Sequence, residues 1–170
     1  MRIRHLALGS AAAFAVAACS DASPLGLPAP TFDADAPRHH VLGSGHVQQA
    51  AGLREFTFHA VEAADGSATG SYKIVLANGL FFETDVTCMA VTGNTGWIAG
   101  TIRASNAAAV VIGSASTVYV IDNGEGGAAP ADIVSLATFN GAAGGDLAFC
   151  ANRPLVLPPL TVTDGNVQVR

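Results

Sequence analysis

His39, His40 and His46 lie close together in the chain, and neutral imidazoles are ligands for zinc and copper ions. Their spacing is not diagnostic and no carboxylate or thiol is placed to complete a rigid site, so they read as solvated linker residues. A second cluster, Asp122, Asn123, Glu125 and Asp132 in "VIDNGEGGAAPAD", carries the oxygen ligands that calcium takes. Its spacing is not that of an EF-hand, and Asp-Asn and Asn-Gly pairs also build ordinary turns. A hairpin loop is expected there, with these four as weak calcium candidates and no metal centre. "GSGH" sets Ser44 near His46, but a nucleophile elbow needs Gly-x-Ser-x-Gly between a strand and a helix. His59 and Glu83 become an acid and base only if the fold joins them. There is no P-loop, no dinucleotide fingerprint and no CxxC pair, so neither a cofactor nor an enzymatic activity is expected.

The cysteines are more informative. Arg2 and Arg4 precede an uncharged run from Leu6 to Ala18, which has the layout of an export signal. The run is well short of the roughly 20 apolar residues that cross a bilayer. Val16-Ala17-Ala18-Cys19 resembles the bacterial lipobox, with Val where Leu is usual. That resemblance implies cleavage before Cys19, diacylglycerol on its sulfur, and membrane association through the N-terminal lipid. Several acyl chains hold a protein where one does not, at ~0.8 kcal/mol per buried methylene. Ser20 follows Cys19 and Asp21 comes only next, which by the Gram-negative sorting rule favours the outer membrane over the inner. Cys88 and Cys150 remain, and in an exported chain they are expected to form a disulfide.

These residues must be positioned by strands. "REFTFHAVEA" puts Phe56, Phe58 and Ala60 on one face and Glu55, Thr57 and His59 on the other. An Asp-Gly turn leads to "SYKIVLANG", which alternates again and completes a hairpin. In "LFFETDVTCMAVTGNTGWIAGTIRAS", strict alternation places Phe82, Thr84, Val86, Cys88 and Ala90 on one face, before a Gly93–Gly96 turn into a strand holding Trp97. Further strands flank the glycine-rich loop, and "LTVTDGNVQV" is expected to close as a short hairpin at Asp164-Gly165. No helical period is sustained; Ala107 to Ala109 suggests at most a helical turn. The expected fold is all-β, an antiparallel sandwich or small closed barrel, with inward Ala, Val, Ile and Phe filling its interior. The organisation reads as a signal peptide over 1–18, a disordered Pro/Ala/Ser tether over 19–42 and a β domain over 43–170.

Charge narrows the partners. Cleavage removes Arg2 and Arg4, taking the basic count from 8 to 6 against 13 acids and the net charge from −5 to −7. So acidic a chain is unsuited to nucleic acid or to electrostatic adhesion to anionic lipid. About 150 residues suffice for one domain with its own core.

The stretches "DVTCMAVTGNTGWIAGTI" and "VYVIDNGEGGAAPADIVSL" resemble a small secreted β domain of environmental bacteria over residues 43–169. The resemblance implies an exported β fold and supplies no catalytic residues. The function expected is a non-enzymatic interaction module tethered at the cell envelope, binding protein or glycan. An exposed aromatic such as Trp97 or Tyr119 would mark it, although Trp97 reads as core. The alternatives are a carrier of a small apolar ligand, requiring a barrel with an unfilled interior, and a structural envelope protein.

Overall fold

The computed structural model describes residues 38–170 apart from 127. The expected signal peptide, the lipobox with Cys19 and most of the expected tether lie outside these residues. The elements are β1 (His39–Gln49), β2 (Gly52–Glu62), β3 (Ala68–Val75), β4 (Phe81–Thr92), β5 (Thr95–Ser105), β6 (Ala115–Ile121), β7 (Ile133–Ser135), β8 (Thr138–Gly141), α1 (Gly145–Asn152) and β9 (Pro159–Val169). All pairings are antiparallel, in the order β5-β4-β3-β2-β1-β9-β7-β6-β8, and β5 also pairs with β6. The ring therefore closes through eight strands, and β8 extends the line of β7 along β6. Of the two architectures the sequence allows, the molecule adopts the barrel. Closure pairs most strand edges, and β9 beyond Thr161 lacks a strand neighbour on one side.

The interior is filled. Phe56, Phe58, Tyr72 and Phe82 run across it with successive ring centroids 5.2, 5.9 and 6.5 Å apart, and Phe139 continues the row at 6.0 Å. Tyr72 on β3 donates its hydroxyl proton to Ser116 Oγ on β6 at 2.6 Å, a strut between strands that are not neighbours. At the other level Val41 of β1 meets β5: a Cβ on Gly96 would lie 2.6 Å from a Val41 methyl.

A second, smaller core lies on the outside. Adjacent strand residues point to opposite faces, so Trp97 faces away from the interior that Ile98 enters. Trp97, Tyr119, Ala90 and Cys88 are buried there beneath Phe149 and Cys150 of α1. Trp97 Nε1–H donates to the Pro154 carbonyl and the Tyr119 hydroxyl to that of Leu157, each at 3.0 Å. The Cys88–Cys150 disulfide clamps α1 onto β4, as the cysteine arithmetic suggested.

Four expectations need correction. Strand β1 begins at His39, so the linker reading fails over residues 39–42 and the three histidines belong to a strand. Only Val41 and Val47 are buried along it, and glycines hide its alternation. In β4 the register slips between Val86 and Cys88, leaving Thr87 unmatched. This bulge turns Cys88 and Ala90 outward while Phe82, Thr84 and Val86 stay inward. α1 stands where an apolar segment without helix was read; eight residues show too little periodicity to announce it. Finally, β9 is one continuous strand. Gly165 has φ +101°, and a Cβ there would lie 2.1 Å from the Ser44 carbonyl oxygen, so this glycine serves close strand approach and not a turn. Ala107 to Val110 forms only a turn, closed by Val110 N–H to the Ala107 carbonyl.

Candidate functional site

The loop between β6 and β7 carries the four calcium candidates, and the structure gives their oxygens other partners. Asp132 is buried; one of its oxygens accepts the Asn123 N–H and the other the Val167 N–H, both at 2.8 Å. Asp122 accepts from Gly124 N–H at 2.8 Å and from Val169 N–H at 3.0 Å. The Asn123 side-chain amide donates to the Ala131 carbonyl, and Glu125 accepts from the amides of Asn166 and Gln168. The reason lies in the sheet. β7 pairs with β9 only at Thr161, Leu160 and Pro159, so beyond that point β9 has lost its neighbour. The aspartates take over the missing ladder for Val167 and Val169, and a buried N–H without an acceptor is costly. Oxygens aimed at N–H donors are arranged as a seam of the barrel, the reverse of a cation shell. Between the loop and β9 lies a cleft of about 270 Å³ lined by Gly124, Glu125, Asp132 and Thr163 to Asn166.

The histidines do not converge. His39 and His46 are seven residues apart on one strand, roughly 23 Å, and His39 and His40 point to opposite faces. His46 Nδ1 stands 3.4 Å from Asp164 on the surface. Ser44 is paired in the same strand with Thr57 and Asn166, so "GSGH" is strand and not a nucleophile turn. Among the described residues no three His, Cys, Asp or Glu side chains are grouped to hold a metal ion.

His59 and Glu83 do line one shallow surface cleft, with Thr57, Ser71, Lys73 and Arg103. Glu83 is held by other partners: Lys73 Nζ at 3.2 Å and Arg103 at 3.1 Å. The Lys73 hydrogen bond, aided by Arg103, keeps its carboxyl below the usual carboxylate range. A carboxylate so held is a weak base, and no hydrogen bond joins it to His59 among the described residues.

The aromatic residues singled out as surface markers are covered, Trp97 and Tyr119 by α1 and the segment after it. The exposed apolar side chains are others. Leu147 stands on α1 and Leu155 and Val156 follow it, while Leu53, Val111, Ile112 and Phe139 stand near the connections at one end of the barrel. Sequence reasoning missed both groups, because exposure depends on which face of a short segment the closed ring leaves uncovered. Compared with known protein families, curated proteins and solved structures, the chain matches none.

Proposed function

We propose that this chain is an exported β-barrel module, anchored by lipid on Cys19 at the cell envelope, that binds its partner through the outer surface and performs no catalysis. The observation carrying this reading is the filled interior, crossed by Tyr72–Ser116 and by Val41 against Gly96. It directs binding to the outside and weighs against the carrier reading, although an eight-stranded barrel is the architecture a carrier requires. The pairing of Cys88 with Cys150 supports an oxidising compartment and leaves Cys19 for acylation. Leu147, Leu155 and Val156 beside α1 offer an apolar surface suited to a protein partner.

Fractionation of the native host tests the anchor. Wild type should carry labelled palmitate and sediment with membranes, whereas Cys19→Ala should be unlabelled and soluble. Unlabelled wild type sinks the anchoring. A photo-cross-linker at Val156 should yield one discrete adduct that a cross-linker at Thr57 does not.

A further inference from the structure

The two ends of the barrel differ in chemistry. In an up-and-down ring the β1–β2 turn, the β3–β4 turn, the β5–β6 loop and the segment from β8 to α1 share one end. They form a continuous surface. A Cβ on Gly52 would lie 2.8 Å from that of Ala77, so the first two tips touch. The Asn106 side chain accepts the Phe81 N–H and donates to the Gly79 carbonyl, tying the β5–β6 loop to the β3–β4 turn. The Asn140 side chain likewise accepts the Val111 N–H and donates to the Ala109 carbonyl, tying β8 to that loop. The amides that could have faced water are turned into backbone.

Across Gln48–Arg54, Val75–Phe81, Ala104–Ser114 and Thr138–Gly145 the single ionisable side chain is Arg54. It lines a small cavity between the two touching tips with Gln49, Leu76 and Asn78, and no acid pairs with it among the described residues. Leu53, Val111, Ile112 and Phe139 are between 44% and 60% exposed there. The opposite end carries His39, His40, Glu62, Asp65, Asp122 and Arg170.

We propose that this acid-poor end docks on the lipid bilayer, seating Leu53, Val111, Ile112 and Phe139 at the top of the acyl layer with Arg54 at the level of the lipid phosphates. This rests on the anchoring proposed above. An acidic protein held near a membrane is repelled by anionic headgroups wherever it presents acids; these tip segments carry none, and the nearest exposed acid, Glu55, stands at the base of the β1–β2 turn beside Arg54. Its apolar side chains lose water on entering the interface, and its one cation meets phosphate. The chain between Cys19 and His39 spans at most about 70 Å at 3.3–3.6 Å per residue. An 11-residue strand measures roughly 36 Å, so either end is within reach. Tethering raises the local concentration of bilayer, so weak insertion suffices.

The full acylated chain, reconstituted in phosphatidylcholine vesicles with acyl-chain-brominated lipid, decides the matter. Its one tryptophan, Trp97, is buried under α1 away from this end and serves as an internal control. Ile112→Trp should lose most of its added emission to the bromines while wild-type emission stays constant. Adding Val111→Asp and Phe139→Ser to Ile112→Trp should restore that emission, with the Trp97 spectrum reporting that the fold persists. Unquenched Ile112→Trp emission in a chain whose N-terminal mass includes acyl groups overturns docking. So does quenching of Trp97 to the same degree, or concentration-dependent association that the same substitutions abolish, which would make the end an interface between copies. An N-terminal mass without acyl groups overturns the anchoring alone, and quenching of the same chain mixed with vesicles then decides docking.

Discussion

Each oxygen of Asp132 accepts a backbone N–H, from Asn123 and from Val167, and Val167 is fully buried. Asp132→Ala should therefore lower stability by about 3 kcal/mol in urea unfolding, because unmade buried hydrogen bonds cost about 1–3 kcal/mol each. Tyr72 gives a different test. Burial raises its phenol to about 12, partly offset by the Ser116 hydrogen bond. In the unfolded chain it ionises near its ordinary value of 10, so between these limits the unfolded state binds fewer protons. Stability is thus intact below pH 10 and falls as pH rises toward 12, at up to about 1.4 kcal/mol per pH unit. Tyr72→Phe should flatten this alkaline limb, read as unfolding midpoints against pH; Tyr119, raised in the same direction by burial, retains a smaller one. Neither residue's role is visible from its type. An aspartate in "DNGEGG" suits a turn, a calcium ion or a seam equally well, and the choice depends on where β7 stops pairing with β9.

α1 has eight residues, too few to persist alone in water. It is held by Phe149 against the outer core and by the disulfide, which closes 62 residues of sequence. Replacing Cys88 and Cys150 together with alanine should cost up to about 4 kcal/mol by the loop-entropy model. Hydrogen exchange should quicken in α1 well before it does in β1 and β2. Strands β2 and β3 were legible because one face of each is buried and the alternation is uninterrupted from Phe56 to Ala60 and from Tyr72 to Ile74. β4 was legible only as far as the bulge. One extra residue, Thr87, reverses every assignment after it, and the compensating partner is Gly100 on another strand, where a Cβ would lie 1.9 Å from the Asp85 carbonyl oxygen. β1 was hidden for a related reason. Gly43 and Gly45 stand where alternation needs apolar side chains, and they do so because β9 approaches too closely for a Cβ.

At the scale of the molecule, composition indicated the β class and the cysteine count of an exported chain the disulfide, yet the polarity between the ends emerged only with strand order. The acid-free segments are dispersed from Gln48 to Gly145 and no single one is unusual. Antiparallel winding gathers them. β1 is hydrogen-bonded on both edges, to β2 from His39 to Gln49 and to β9 from Val41 to Val47, and the chain enters it at His39. A pull on His39 directed outward along that strand loads both ladders in shear at once, and they do not part rung by rung. Outward tension on the N-terminal side therefore meets a strand held on both of its edges.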